Sequence, residues 1–336
     1  MEIQEIFLNR VGRLRSGWRL GIFALLLYLG INLTFAIVET VFVLLLGPLA
    51  PAILSGNWGF IIQGLILLVP ATLVGWGCGK LLEDLPPRAL GWGFQKGWLK
   101  DLLLGSLVGA ASLLLATIIA TVPGGLKFTI NAPVMFETVG RTLLASLPVF
   151  ILAAAGEEAM FRGYALQTMA RSGLAWAAII ITSVVFSWGH LNNPNAVAGF
   201  TFANTAIAGV WLAVAYLKTR NLWFPLGIHW AWNWTMGAAL GLPVSGIERL
   251  TPHPFLRATD LGPAWLTGGA YGIEGGAACT VALIISILFI RRTRIVAPTE
   301  EMLRLTDQEN PKHLSRSPFY EEAKLREDEK TTTEKE

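Results

Sequence analysis

Apolar runs close to or longer than the roughly 18 residues a helix needs to cross a bilayer core recur along the whole chain. They fall at about 20–46, 58–82, 99–122, 142–170, 173–190, 196–217, 222–241 and 275–290. The implied class is all-α, a polytopic membrane protein with about eight transmembrane helices. Composition agrees. Of 336 residues, 53% are hydrophobic and 15% charged, with a mean hydropathy of +0.54. A soluble domain carries about 25% charged residues. The net charge of +3 is too small to suggest nucleic acid as a partner, so the expected surroundings are membrane lipid and whatever the membrane presents. No repeat with a period of 20–50 residues is visible.

Lys and Arg collect in alternate connections, which orients the bundle. Arg10, Arg13, Arg15 and Arg19 precede the first span, and Lys80, Arg88, Lys96 and Lys100 join the second to the third. Arg171, Lys218, Arg220, Arg291, Arg292 and Arg294 mark the later connections on that side. The other side has only Lys127, Arg141, Arg249 and Arg257. Both termini are therefore expected in the cytoplasm, with the protein in the cell membrane. The start lacks a small-residue cleavage site after a short apolar core, so the first span is read as retained. Residues 1–19 form a basic cytoplasmic segment, 20–290 the membrane domain, and 291–336 a charged tail expected to be disordered. Cys78 and Cys279 lie far apart in apolar segments and read as buried free thiols.

The fourth span contains the costliest residues. In "ILAAAGEEAMFRGYALQ", Glu157, Glu158 and Arg162 sit within six residues. An Asp, Lys or Arg at a helix centre costs about 2.5–3.5 kcal/mol on insertion scales, and a Glu should cost a similar amount. Three such groups facing lipid would cost about 8–10 kcal/mol, so they must face the bundle interior, paired or wet. Glu158 and Arg162 are spaced i,i+4 and can pair on one helix face. Glu157 is offset by about 100° and has no partner in its own helix. One carboxylate with a local counter-ion beside one without suits a general base with an orienting neighbour, although a buried ion pair could also serve packing alone. Two of the four His lie in comparable settings: Phe186 and His190 are i,i+4 at the end of the fifth span, and His229 and Asn233 are i,i+4 on the seventh. Counting 1.5 Å per residue from the turn near Ser172 brings Glu157 and His190 to similar depth. The same count leaves His229 shallower by more than about 10 Å unless Pro225 delays or bends its helix. Glu39 reads as a neutralised or paired packing residue, His253 as an outer-loop residue, and His313 as part of the tail. Gly and Ala on the sixth span read as a close helix contact.

Together, "EEAMFR", "FSWGH" and "HWAWN" fit EExxxR, FxxxH and HxxxN in order on successive spans. This pattern resembles the CPBP family: type II CAAX prenyl proteases, their bacterial relatives, and bacteriocin-processing or self-immunity proteins. The resemblance is to bacterial members, with the motif-bearing core at about 140–240. It implies an eight-helix intramembrane endopeptidase whose helices enclose a catalytic cavity, acting on a membrane-presented, in some cases lipid-modified, peptide or protein. Residue by residue, Glu157 and His190 match the pair that activates water, and Glu158 and Arg162 their supporting pair. His229 and Asn233 match the groups proposed to stabilise the oxyanion, and Phe186 the aromatic of the substrate cavity wall. The family has been described both as metal-independent and as zinc-dependent. No cofactor is the favoured reading here, since HExxH is absent and Asn233 is a poor zinc ligand. The zinc alternative would use Glu157, His190 and His229. Two other functions fit the composition: a non-proteolytic scaffold or immunity protein of the same fold, and an ion-coupled transporter.

Overall fold

The computed structural model describes residues 6–130, 136–248, 250–307 and 309. Eight helices occupy the expected positions. They are α1 (Ser16–Leu46), α2 (Asn57–Glu83), α3 (Trp98–Thr121), α4 (Phe136–Glu158), α5 (Ala175–His190), α6 (Phe200–Thr219), α7 (Trp223–Trp234) and α8 (Ala277–Arg292). The chain is an all-α polytopic membrane protein. Among the described residues, five helical stretches are long and apolar enough to cross a membrane: Ser16–Leu54, Trp58–Glu83, Trp98–Thr121, Glu137–Arg171 and Phe200–Thr219. The remaining three of the expected eight are short. At 16 residues, α5 and α8 are each about 24 Å long against a hydrocarbon core of about 30 Å. One small feature departs from an all-helical expectation. Leu126–Ile130 (β1) pairs antiparallel with Leu256–Asp260 (β2), tying the segment after α3 to the segment before α8.

Between helices in lipid there is little hydrophobic drive, so close packing decides which faces meet. Small residues supply it. In "GSLVG" on α3, Gly105 and Gly109 let α7 approach so closely that an added Cβ would lie 2.2 Å from the Phe224 carbonyl oxygen and 2.1 Å from that of Ile228. Gly156 on α4 does the same for α2, where an added Cβ would meet Leu67 Cβ at 2.8 Å. The small-residue stretch on α6 also behaves as expected, since a Cβ on Gly209 would sit 2.7 Å from Ser183 Cα on α5. Ile228 directly precedes His229, so the Gly109 contact sets the height of the seventh-helix histidine. Gly109→Val is therefore expected to cost at least about 1–3 kcal/mol by overpacking. It should also displace His229, whereas Gly77→Ala, where nothing lies within 4 Å, should be silent. Thermal unfolding of both purified variants checks this, and equal stability of the two would disprove the contact's role.

Charged connections gather at one end of the bundle. Buried Glu83, at the end of α2, takes Arg19 and Arg171 as ion partners and accepts from Thr168. Arg19 also binds Glu309, which accepts from Ser172 Oγ at 2.8 Å and Asn9 Nδ2 at 2.5 Å. The start of the tail is consequently ordered, contrary to expectation. Thr299 caps a short helix, Glu300–Thr306, whose Met302 and Thr306 are buried, and Val296 is buried before it. Apolar positions among the charges give this stretch a face to bury, which composition alone obscured. The rest of the expected tail, with His313, lies outside the described residues, as does Arg249. Burial opposes ionisation of Glu309, but hydrogen bonds from Arg19 and Ser172 and the Arg19 charge outweigh it and hold the carboxyl below its ordinary value. A depressed folded-state pKa gives a contribution that is complete above the unfolded value of about 4.3 and lost as pH falls through the folded one. Hydrogen exchange over residues 300–309 should be flat from pH 7 to about pH 5 once corrected for intrinsic rates, and should rise only below about pH 4. Release near neutrality would refute this latch.

Glu39 is exposed on α1, not packed against a partner helix. Glu39 lies twenty residues beyond Arg19, about 30 Å along a helix and close to one hydrocarbon thickness. Cys78 and Cys279 are buried free thiols. His253 is half-buried in the loop before β2.

Candidate active site

Directly after Glu158 the helix widens into π turns over Ala159–Ala165, and it kinks at Gly163, whose ψ of −118° is not helical. A second π segment, Thr235–Ala239, follows α7 immediately after the HxxxN stretch. Such widened turns mark functional positions in many helices because they re-aim side chains without ending the helix. Here the kink turns the inner end of α4 aside. The count of residues from the turn near Ser172 crosses this kink, and the His229 contact with both glutamates shows that counting did not give its depth. Pro225 lies in the first turn of α7, where its missing N–H costs nothing. Asn221 Oδ1 accepts from the N–H groups of Trp223 and Phe224.

His229 meets both glutamates. Its Nδ1 lies 2.8 Å from Glu158 Oε1, and its Nε2 lies 3.6 Å from Glu157 Oε2. Glu158 is wholly buried and also accepts from Arg162 Nη1 at 3.2 Å, while Arg162 Nη2 reaches the Gly209 carbonyl at 3.2 Å. Glu158 thus joins the imidazole to the guanidinium, a wider role than the i,i+4 pair inferred from spacing. Arg162 Cζ lies 4.7 Å from the Phe186 ring centre, a cation–π contact, and Phe161 at 5.3 Å, His190 at 4.6 Å and His229 at 6.2 Å also pack against that ring. Phe186 therefore supports Arg162 as well as lining the cavity.

Glu157 is placed differently from Glu158. Its side chain is 24% exposed against 0% for Glu158, and its Oε2, like that of Glu158, makes no hydrogen bond among the described residues. His190 Nδ1 is 2.7 Å from the Phe186 carbonyl. Only a protonated Nδ1 can donate there, which leaves Nε2 as the acceptor. Glu157, Phe186, His190, His229 and Asn233 line one cavity of about 290 Å³, whereas Glu158 and Arg162 stand behind its wall. Its chemistry is a carboxylate, two imidazoles and an amide facing a space large enough for water and a peptide segment.

The zinc alternative would need Glu157, His190 and His229 around one point. A His₂Glu site gathers its ligands about 2.0–2.2 Å from one point. Among the described residues no three His, Cys, Asp or Glu side chains are gathered that way. Both Nδ1 atoms are held, by Glu158 and by a backbone carbonyl, so the Nε2 atoms are the ring nitrogens left for chemistry in the cavity.

Glu274 is a cavity residue that the motifs did not indicate. Its carboxylate accepts from Trp232 Nε1 at 3.1 Å, Ser245 N at 2.8 Å and Ser245 Oγ at 2.9 Å, which fixes the 244–247 turn over α7. The available signal was that it is the sole acidic residue between Asp260 and Glu300, set in a glycine-rich loop. Asn204 braces that loop from α6, donating to the carbonyls of Glu274 and Gly276, each at 2.8 Å.

A glutamate, two histidines and an asparagine lining a cavity within the helical bundle offer a base and hydrogen-bond donors beside space for water. Residues 139–235 match the family model described as type II CAAX prenyl endopeptidase Rce1-like, so this segment is a domain of that family. The match spans α4 to α7 and contains every motif residue. It makes the domain that of a CAAX-type intramembrane protease, a hydrolase. No curated protein matches the chain, and no solved structure does.

Proposed function

We propose that the protein is an endopeptidase of the cell membrane, with both termini in the cytoplasm, that hydrolyses a membrane-presented peptide without a metal. The observation that carries this reading is the difference between the two glutamates. Glu158 is wholly buried and locked between Arg162 and His229, whereas Glu157 is 24% exposed and lines the cavity.

In this mechanism Glu157 takes a proton from water held against its carboxylate and His190 Nε2. The resulting hydroxide attacks the scissile carbonyl carbon, and the carbonyl oxygen becomes an oxyanion. His229 and Asn233 donate to it. To donate from Nε2 while bound through Nδ1, the His229 ring must carry both protons, and the Glu158 carboxylate on Nδ1 supplies the compensating charge. The proton on Glu157 then passes to the departing amine, and the peptide bond breaks. Burying Glu158 and Arg162 behind the wall keeps both charges fixed while the cavity fills and empties. The cavity wall, lined by protein and not by lipid, also admits water without exposing backbone to acyl chains. The substrate is a peptide or protein segment at the membrane, with or without a lipid modification.

Peptide profiling of membranes containing the active protein, or its Glu157→Gln or His190→Ala variant, tests the reading. Fragments present only with the active protein support it. Profiles identical across all three would remove the protease assignment.

A further inference from the structure

The cavity has an inside and an outside, and these coincide with the two ends of the bundle. On α2, α5, α7 and α8 its lining residues come from the half of the helix remote from the basic end, while α4 contributes from its middle. On α2 they are Phe60 to Leu67, near the end that starts at Asn57, while Glu83 and its arginines lie at the other end. On α5 they are the last residues, Phe186 to His190, although that helix begins just after Arg171. On α8 they are Cys279 and Leu283, while Arg291 and Arg292 close its far end. The segment after α7 adds Ser245 and Ile247, in the connection that also carries β2.

Toward the arginine-rich end the path is closed. Leu166, Ala213, Tyr216 and Leu222 are completely buried beneath the site, and Phe224 is nearly so. The connection between α2 and α3 seals the layer from below. Leu222 N donates to the Gly91 carbonyl at 3.0 Å, and Gln167 Nε2 donates to that of Leu90 at 2.9 Å. Toward the other end, Gln63 and Gly189 are exposed, and His190, Asn193, Asn233 and Glu274 are part-exposed. Amides on this lip can hydrogen-bond a peptide backbone, and Phe60, Leu67, Ile247 and Leu250 offer apolar walls to its side chains.

Lys and Arg mark the cytoplasmic ends of membrane helices. Combined with the position of the mouth, this gives a direction of access. We propose that the site is served from the extracytoplasmic face, and that its substrate is an extended, mainly apolar peptide segment exposed at the outer leaflet, not one supplied from the cytoplasm. The inference rests on the protease reading and narrows its substrate class.

The test has two arms. In a Cys78→Ala/Cys279→Ala background, Ser245→Cys at the mouth and Lys96→Cys at the basic end are exposed to a membrane-impermeant maleimide. Labelling is carried out in intact cells and in inside-out vesicles. The expected result is that residue 245 is labelled only in cells and residue 96 only in vesicles. In the second arm, oriented proteoliposomes of the full chain receive a quenched-fluorescent library of apolar peptides either outside or trapped within, with Glu157→Gln as the blank. Glu157-dependent cleavage is expected only when the library is on the residue 245 side. Labelling of residue 245 from the cytoplasmic side alone, or cleavage of the library only on the residue 96 side, overturns the inference and leaves the protease reading intact. If no Glu157-dependent cleavage occurs on either side, both fall, and the labelling arm still separates that outcome from a cytoplasmic mouth.

Discussion

Replacing Glu158 with alanine is expected to destabilise the protein by about 3–5 kcal/mol, the cost of removing one partner from a buried ion pair. The side chain is 0% exposed and satisfies two others, Arg162 Nη1 and His229 Nδ1. Without it Arg162 keeps the Gly209 carbonyl and the Phe161 and Phe186 rings, and loses its ion-pair partner among the described residues. Against a typical total stability of about 5–15 kcal/mol, this is a large fraction. Glu158→Gln keeps an acceptor of the same shape and should cost less. Chemical denaturation of the purified variants in detergent measures the difference. A Glu158→Ala variant within about 1 kcal/mol of wild type would show that the pair contributes little and that Arg162 has another anchor.

Glu157→Gln should behave in the opposite way. General-base catalysis contributes about 10²–10⁴-fold, so the amide should lower kcat/KM by that factor, or about 2.7–5.4 kcal/mol of transition-state stabilisation. Stability should barely change. The side chain is partly exposed, its Oε2 makes no hydrogen bond among the described residues, and glutamine has the same shape. Single-turnover cleavage and an unfolding curve on the same preparation give the two values. A residual rate within about threefold of wild type would mean that Glu157 is not the base, since such a loss is far below the range for proton transfer. The contrast carries the assignment, because adjacent glutamates of equal chemistry should fail in different assays.

Much of the site was legible before any coordinates. EExxxR, FxxxH and HxxxN selected the residues that surround the cavity, and the cost of charge in hydrocarbon required them to face inward. The partnerships were less legible. Spacing paired Glu158 with Arg162, which holds, but could not show that His229 completes the same cluster, because the two helices are some seventy residues apart in sequence. Counting residues for depth failed for His229, and the count crosses the kink at Gly163. Gly105 and Gly109, which set the height of His229, had only the generic signature of small residues at a four-residue spacing. Glu274 carried no motif at all. The stretch from Val296 to Thr306 was misjudged because its few apolar residues were averaged into the charged sequence around them.

Taken alone, the amino-acid sequence determined the class of the protein and the positions of its helices. The cost of an unsatisfied backbone or a bare charge in lipid is a local quantity and does not depend on how the chain folds elsewhere. Tertiary structure decided which imidazole sits between which carboxylates, which glutamate faces open space, and at which end of the bundle the cavity opens. Those outcomes depend on where helices cross and how closely they approach, and crossings are set by contacts such as Gly109 with Ile228 and Gly156 with Leu67. No single segment encodes them, because each contact is shared by two helices that meet only after the bundle has assembled.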